Sequence, residues 1–321
     1  MVSFFVHNAY VGLRRARRVF GAAVVGLLLV VPMTAAAAPT GGEPAPASVS
    51  QALATIPASA FDKVGGGAGS SSSITPPTVV QGQPGLTFSV RGRPLPGILY
   101  VGAEYCPYCA AERWAIAAAL SRFGAFSDLR VTESSPSDVY PTTSTLSFFG
   151  SRFSSSYVAF QAVEETTNQP GKGGAGYQRL QRPTREQSEL ATRYDSGHFI
   201  SGLGSTGAGV IPFIDIGNRV LVAGSSFSPS LLAGLSQRQI AADLHHPGTP
   251  VAQAILGTAN YLDAAICAET QGAPAAVCSG SAVRHAAETL VVGRFRPYAA
   301  RSCWVLPARR MFLAAFTSAC S

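Results

Sequence analysis

The amino-acid sequence predicts a mixed α/β fold, and two observations carry this prediction. Short apolar runs bounded by turn residues, which are typical of strands, alternate with segments that open on helix-capping residues. The apolar run 98–101 leads into a helical segment at Cys106, and the dipeptide 217–218 separates two further apolar runs. With 321 residues, of which 47% are hydrophobic, the chain has ample material for a buried core and does not have the composition of a disordered protein.

Four elements are predicted between residues 48 and 124. A short helix is expected over 48–64, where apolar residues recur at helical spacing. Residues 86–90 alternate between apolar and polar side chains as in a half-buried strand, and 98–101 suits a buried strand. The Ala-rich segment from Cys106 is expected to be a helix with Gly124 as its C-terminal cap, since glycine often ends helices.

Capping and turn signals define the elements of the second half. Thr184 and Gln187 have the spacing of a capping box, so a helix is expected from there to about Tyr194. Gly-Asn at 217–218 predicts a hairpin between two apolar strands. Together these signals predict strands over 129–131, 157–163, 210–216 and 220–222, and helices that begin after Thr184, Ser228, Ser236 and Thr249.

The formal charge of +7 is concentrated at the two ends of the chain. Residues 1–38 carry four arginines and no acidic residue, and residues 284–321 carry six arginines and one glutamate. After these contributions of +4 and +5 are removed, residues 39–283 have a net charge of −2. A nearly neutral body with basic ends does not make a phosphate-binding surface, so no nucleic-acid partner is expected.

Residues 1–38 have the pattern of an export signal or a membrane anchor. Four arginines precede the apolar run 19–31, and alanines end the segment, as in a secretory signal peptide. Residues 19–38 are also about as long as a bilayer span, with only Thr34 polar, so an uncleaved anchor is the alternative. Either interpretation places the rest of the chain outside the cytoplasm, secreted or attached to the membrane by this segment, because positive charge stays inside.

The remaining chain divides into three parts by composition. Residues 39–78 are rich in Pro, Gly, Ala and Ser and are expected to be a linker with the short helix described above. Residues 79–283 have the pattern of one folded domain. Residues 284–321 form a basic extension with Cys303 and Cys320, whose weak periodicity is compatible with an irregular tail or with attachment to anionic lipid.

The chemistry of the chain is concentrated in its cysteines. Cys106, Pro107, Tyr108 and Cys109 form a C-x-x-C motif that follows a buried strand and opens a helix. Residues three apart share a helix face, so the two sulfurs can meet. At the helix start, unpaired N–H groups and the helix dipole favour a thiolate at Cys106, which is the nucleophile for disulfide exchange. Cys109, one turn further along, is the natural resolving thiol.

Three other uses of this motif are open at the level of sequence. The cysteines can form a purely structural disulfide, half of a zinc site, or a two-thiolate site for copper or another soft metal. The zinc interpretation lacks a second C-x-x-C motif or a suitable histidine pair. The G-x-G-x-x-G motif at 202–207 is followed by a predicted strand, so it is expected to be a loop and not a dinucleotide site. We therefore assign no metal and no cofactor.

The order of strand, C-x-x-C motif, helix and hydrophobic-Pro dipeptide resembles the thioredoxin-like superfamily. In that superfamily the proline is cis and packs beside the reactive disulfide, which implies this role for Pro212 after Ile211. The two residues between the cysteines tune the redox potential there, which implies the same for Pro107 and Tyr108. The resemblance implies a thioredoxin-like α/β fold with a long, partly strand-like insertion between the C-x-x-C helix and the cis-Pro strand, plus C-terminal helices.

A closer resemblance covers roughly residues 48–283. The segment 102–114, which contains the motif, is similar to the signature of an actinobacterial and archaeal family, the domain of unknown function family 929. The segments 138–141 and 228–229 fit this family as well. Its proteins are thioredoxin-like and mostly exported or anchored, so the resemblance implies fold and location but no substrate.

Four further residues have two interpretations each. Glu104 and Glu112 flank the motif, where a buried carboxylate can accept the proton of the resolving thiol, or they lie on a solvated surface. Cys267 and Cys278 bracket a turn and are expected to form a structural disulfide. The alternative is a second redox pair that relays electrons to the C-x-x-C motif.

The sequence therefore supports two functions of different classes. The first is an extracytoplasmic thiol–disulfide oxidoreductase for protein substrates, in which Cys106 attacks, Cys109 resolves and Pro212 shapes the substrate groove. The second is a non-catalytic thioredoxin-like binding module that holds a partner protein or a soft metal, with a structural Cys106–Cys109 disulfide. Oxidases, reductases and isomerases share these residues, so the direction of exchange is not encoded in the motif.

Overall fold

The computed structural model describes residues 41–66, 73–203 and 209–290, and it is a mixed α/β structure as predicted. The strands are β1 (Glu43–Pro44), β2 (Thr78–Val79), β3 (Thr87–Val90), β4 (Arg93–Gly102), β5 (Gly124–Ser127), β6 (Arg130–Glu133), β7 (Ser144–Ser147), β8 (Arg152–Ser155), β9 (Ala159–Glu164), β10 (Thr166–Pro170), β11 (Tyr177–Arg179), β12 (Phe213–Ile216) and β13 (Val220–Ala223). The α-helices are α1 (Ala47–Ala54), α2 (Ala58–Val64), α3 (Pro107–Leu120), α4 (Arg185–Tyr194), α5 (Gln237–Asp243), α6 (Pro250–Glu269), α7 (Ala275–Cys278) and α8 (Ser281–Leu290). Two short 3-10 turns lie at Lys172–Gly174 and Pro229–Leu232.

Several predicted features lie outside the described residues. These are the export segment 1–38, Cys303 and Cys320 in the basic extension, and most of the glycine-rich motif at 202–207. None of the helices in the described ranges combines the length and the apolar character needed to cross a lipid bilayer.

Strand β4 is the centre of the main sheet, whose order is β2-β13-β12-β4-β3 with β9 also paired to β4. Its C-terminal half pairs in parallel with β9 on one side and antiparallel with β12 on the other. β12 and β13 form the predicted hairpin, and the turn residues Gly217 and Asn218 have φ values of 67° and 59°. Two neighbouring strands therefore hold the end of β4, where the chain turns toward Cys106.

Both faces of the main sheet are buried. On β4, Ile98 and Tyr100 face the core formed with α3 and α6, whereas Leu99 and Val101 face a second core that includes Tyr194 of α4. This alternation follows from the two-residue period of a strand. A continuous apolar run at 98–101 is what a strand covered on both faces requires, and it gives the site a rigid base.

The segment between α3 and α4 consists mainly of strands. β6 and β7 form a three-stranded sheet with β1, and two antiparallel ribbons join β5 to β8 and β10 to β11. β7 packs against α3, where the Trp114 indole N–H donates to the Ser144 carbonyl over 3.1 Å. β7 therefore covers one face of α3, the helix that begins at the C-x-x-C motif.

Local capping signals predicted helix starts correctly. The capping boxes expected at Thr184 and Ser236 are both present and begin α4 and α5. Thr249 caps α6, with Pro250 in the first turn. These signals are reliable because each satisfies backbone N–H groups within a single helical turn.

Two predictions of helix bounds are wrong. The helix from Cys106 ends at Leu120, and Gly124 begins β5 instead of capping it. A Cβ atom at Gly124 would lie 2.3 Å from the Ser154 carbonyl oxygen, so the close pairing with β8 requires glycine there. The single helix expected over 48–64 is two helices, because Pro57 cannot donate a backbone hydrogen bond and disfavours helical geometry in the residue before it.

The ends of the described chain pack into the core. Val49 of α1 and Phe61 of α2 are buried, although residues 39–78 were expected to be a linker. α8 continues past residue 283, where the folded domain was expected to end, and packs against α6. Cys267 at the end of α6 and Cys278 at the end of α7 form a disulfide, which ties the α6–α7 turn to this region.

We predict that the Cys267–Cys278 disulfide stabilises the fold without taking part in exchange chemistry. The double substitution Cys267→Ala, Cys278→Ala is expected to lower the free energy of unfolding by about 3 kcal/mol, because the bond restricts the unfolded chain. Urea unfolding of the wild type and the double variant, each under oxidising and reducing conditions, measures this difference. Equal unfolding midpoints for the two oxidised proteins would contradict the prediction.

Candidate active site

Cys106 is the N-cap residue of α3. Its backbone is extended, with φ −77° and ψ 120°, and Pro107 occupies the first turn of the helix, where a missing N–H costs nothing. The Cys109 N–H donates to the Cys106 sulfur over 3.2 Å. The sulfur therefore takes the place that a serine or aspartate oxygen takes in ordinary helix caps, at the positive end of the helix dipole.

The strand that follows Pro212 lies across from this helix start. The Cys106 thiol donates to the Ile211 carbonyl over 3.7 Å, and the Ile211–Pro212 peptide bond is cis. The Pro212 carbonyl in turn accepts the Gly224 N–H over 2.8 Å, at the end of β13. The structure thus brings the Ile211–Pro212 segment beside Cys106 and Cys109, although it lies more than a hundred residues after them in the sequence.

The two thiols have opposite ionisation tendencies. Hydrogen bonding from the Cys109 thiol, and then from the Cys109 N–H, lowers the pKa of the Cys106 thiol against the opposing effect of burial. Burial raises the pKa of the Cys109 thiol well above its ordinary value. Cys106 is 4% exposed and Cys109 is fully buried. Cys106 is therefore the more acidic and the more exposed of the two thiols.

Aromatic side chains surround the cysteine pair. Tyr108 is 40% exposed and packs edge-on against Tyr140, with ring centroids 5.8 Å apart. Tyr105 stacks on Tyr177 at 4.1 Å, and its carbonyl accepts the Ser135 N–H over 2.8 Å. The β6–β7 connection and β11 therefore contribute the rim of the site, whereas the cysteines come from α3.

Glu104 and Glu112 are both buried, so neither lies on a solvated surface. The Ser147 hydroxyl donates to Glu104 over 2.6 Å, and burial raises the pKa of that carboxyl. Ser226 donates to Glu112 through its N–H at 2.8 Å and its hydroxyl at 3.1 Å, and burial raises the pKa of Glu112 to about 7. Among the described residues, neither carboxylate hydrogen-bonds to a cysteine sulfur.

Two charged residues near the motif were not assigned a role from the sequence. Arg113, four residues after Cys109, forms a fully buried ion pair with Glu164 at the end of β9. For Arg113, the sequence did offer a signal, because it is an arginine in an otherwise Ala-rich, apolar helix. Nothing in the sequence around Glu164 marks it as the other partner, because the pair is created by the parallel pairing of β9 with β4.

The ligands available near the motif limit what it can bind. Within the ranges that the structure describes, no group of three or more His, Cys, Asp and Glu side chains lies close enough together to hold a metal ion. The thiols of Cys106 and Cys109 are the groups that a soft metal would use, and both are unbonded to other sulfurs. The arrangement can support thiol chemistry with its own residues alone.

A comparison with protein families matches residues 86–268 to the family described as a domain of unknown function (DUF929). This match covers more than half of the chain. The chain belongs to the DUF929 family. No curated protein and no solved structure matches it. The matched segment contains the C-x-x-C motif, Arg113, Glu164 and Pro212, so the DUF929 region includes the whole candidate site and ends before Cys278.

Glu112 provides a pH-dependent prediction. Its pKa is about 7 in the folded protein against an ordinary value of 4.5, so the native state keeps a proton that the unfolded chain releases. This contribution to stability is complete below pH 4.5 and is lost as the pH rises through about 7. Glu112→Gln is neutral at every pH, so its stability relative to the wild type should rise by up to about 3 kcal/mol across this window.

Urea unfolding at a series of pH values measures this effect. The difference between wild type and variant isolates Glu112, since burial also raises the pKa values of Asp215 and Asp263 to about 7 in both proteins. Stability curves that run parallel from pH 4 to 8 would show that Glu112 does not titrate abnormally.

Proposed function

We propose that this chain is a thiol–disulfide oxidoreductase of thioredoxin-like fold that acts on protein thiols and disulfides outside the cytoplasm. The arrangement at the start of α3 carries the proposal. There, the Cys106 sulfur accepts the Cys109 N–H while its thiol faces the Ile211 carbonyl. This geometry places an ionisable nucleophile beside a buried second thiol, which are the two groups that disulfide exchange needs.

The strand connections support the thioredoxin-like part of the proposal. β4 leads into Cys106 and α3, and the chain returns in β9 parallel to β4. The strand after Pro212, β12, is antiparallel to β4, and the chain continues through β13 and α5 to α6. This order of elements, with the cis Ile211–Pro212 peptide bond beside the C-x-x-C motif, agrees with the plan of the thioredoxin-like superfamily.

In the proposed reaction, the Cys106 thiolate attacks one sulfur of a substrate disulfide. A Cys106–substrate disulfide forms, and the other substrate sulfur leaves as a thiolate that takes up a proton. Cys109 then loses its proton and attacks the Cys106 sulfur, which releases the second substrate thiolate. The chain ends with a Cys106–Cys109 disulfide and two fewer electrons, and the substrate has gained them. The reverse sequence oxidises a substrate dithiol.

Protein substrates are proposed because of the surface around the motif. Cys106 is almost fully buried, whereas Tyr108 and the neighbouring Val139 are 40% and 69% exposed. A partner that reaches the sulfur must contact these exposed apolar groups, and a polypeptide offers apolar side chains of matching size. The predicted export or anchor segment 1–38 supports an extracytoplasmic location, where disulfide exchange has many substrates.

We predict that Cys106→Ser abolishes exchange and that Cys109→Ser forms a mixed disulfide with substrate that persists. The reason is that Cys106 attacks and Cys109 resolves. Incubation of each variant, with its cysteines reduced, with a model protein that contains a disulfide, followed by non-reducing electrophoresis, detects the mixed species. The Cys267→Ala, Cys278→Ala variant is the matched control, since it removes a cysteine pair outside the site and should keep full exchange activity.

The redox potential of the motif is the decisive measurement. The purified full-length protein is equilibrated in glutathione buffers and its free thiols are trapped with an alkylating reagent. A value above about −200 mV supports an oxidase or isomerase, and one near −270 mV supports a reductase. A pair that stays oxidised below about −300 mV would refute the enzyme and leave the binding module with a structural disulfide.

A further inference from the structure

A buried ion pair lies one helical turn from Cys109. Arg113 and Glu164 are both 0% exposed, and they form two parallel hydrogen bonds of 2.8 Å, from Nε to Oε1 and from Nη2 to Oε2. Taking two charges out of water carries a solvation cost that their attraction often only balances. The ion pair is therefore weak evidence for stabilisation of the fold, and its place beside Cys109 needs a different explanation.

The pair is connected to the cysteines through one carbonyl group. Arg113 Nη2 donates to the Ala103 carbonyl over 2.6 Å, and the same carbonyl accepts the Cys106 N–H over 3.3 Å. Because Arg113 follows Cys109 by four residues in α3, the two side chains share a helix face. The guanidinium is thus fixed both to the strand β9 and to the turn that presents Cys106.

One nitrogen of this guanidinium has no partner. In the part of the chain that the structure describes, Arg113 Nη1 and the nearby Tyr100 hydroxyl are buried without a hydrogen bond. The Arg113 guanidinium carbon lies 5.9 Å from the centre of the Tyr100 ring. A buried donor without an acceptor is rare in folded proteins and carries a desolvation cost. The sulfur of Cys109, on the same helix face, becomes a strong acceptor when the thiol ionises.

We propose that Arg113, held in place by Glu164, is a positioning residue that stabilises the negative charge formed on the Cys109 sulfur when the mixed disulfide is resolved. This inference rests on the proposed exchange function. Cys109 must lose its proton before it attacks Cys106, and it does so in a fully buried site. The S–S bond between Cys109 and Cys106 then forms, the Cys106–substrate bond breaks, and the electron pair leaves on the substrate sulfur, which takes up a proton.

The other titratable groups around the guanidinium do not supply this positive charge. Glu164 is its counter-ion, and the carboxyl of Glu104 also faces it. Burial raises the pKa of the Cys109 thiol, and the charge of Arg113 acts in the opposite direction. Arg113 is therefore the cation of the described residues that counteracts the burial of the resolving thiol.

The test separates the two sulfur steps. The aromatic disulfide dithiobis(nitrobenzoate) releases one coloured thiolate when Cys106 attacks and a second when Cys109 resolves, so stopped-flow absorbance records both rates. The full-length protein is used with Cys303 and Cys320 replaced by serine. The double variant Arg113→Met, Glu164→Gln removes both charges and avoids an unpaired buried ion. Its second phase should be at least threefold slower at pH 7, because a rise of about one unit in the pKa of Cys109 lowers its thiolate fraction tenfold and raises the nucleophilicity of that thiolate only about threefold.

A second ion pair, at the far end of α3, supplies the matched control. Arg122, just after α3, pairs with the fully buried Asp263 of α6, far along the helix from the motif. The double variant Arg122→Met, Asp263→Asn should leave both phases within twofold of the wild type. A double variant at Arg113 and Glu164 that is folded by circular dichroism and keeps the wild-type second phase would overturn the proposal.

Two single variants keep the test decisive if the double variant does not fold. Glu164→Gln keeps the cation and removes its nearest anion, so the midpoint of the pH profile of the second phase should move to lower pH. Arg113→Lys keeps the charge and should retain most of the second-phase rate. A midpoint that moves to higher pH in Glu164→Gln would overturn the proposal. A wild-type protein that releases no second thiolate would instead refute the proposed exchange function itself.

Discussion

The burial of helix α3 beyond its first turn is the constraint on which the rest of the structure depends. From Cys109 to Leu120 every residue of this helix is buried, between the main sheet, β7 and α6. Small alanine side chains permit the close approach of these elements. The helix start therefore lies in a medium of low polarity, where the N–H groups around Cys106 act on its sulfur more strongly than they would in water. Among the helix residues, Tyr108 alone remains substantially exposed.

Burial on all sides also determines how the polar residues of α3 are satisfied. Glu112 bonds to the connection after β13 and Arg113 to β9, and Arg122, just after the helix, bonds to α6. Each contact fixes the helix to one part of the chain that is distant in sequence. The helix is thus held at both ends by polar contacts and along its length by apolar packing. A nucleophile at its start has little freedom to move, which favours a defined geometry for attack.

The sequence predicted those features that are set within one or two turns of backbone. The capping boxes at Thr184 and Ser236, the hairpin at 217–218 and the helix start at Cys106 belong to this class. Gly124 was misassigned because its role is set by the approach of β8, which no local pattern reveals. The burial of Glu104 and Glu112 and the choice of Glu164 as the partner of Arg113 depend on how distant strands pair, so spacing along the chain did not indicate them.

The burial of Glu104 and Glu112 affects how strongly the charge of Arg113 acts on the cysteines. Burial raises the pKa values of Glu104 and Glu112, so near neutral pH both carboxyls carry less negative charge than exposed ones would. They therefore repel a thiolate less than their number implies. Glu164 accepts two hydrogen bonds from Arg113, whose remaining Nη1 donor has no hydrogen-bond partner among the described residues. Burial alone would suppress the thiolate form of Cys109, and the positive charge of Arg113, one helical turn away, acts in the opposite direction.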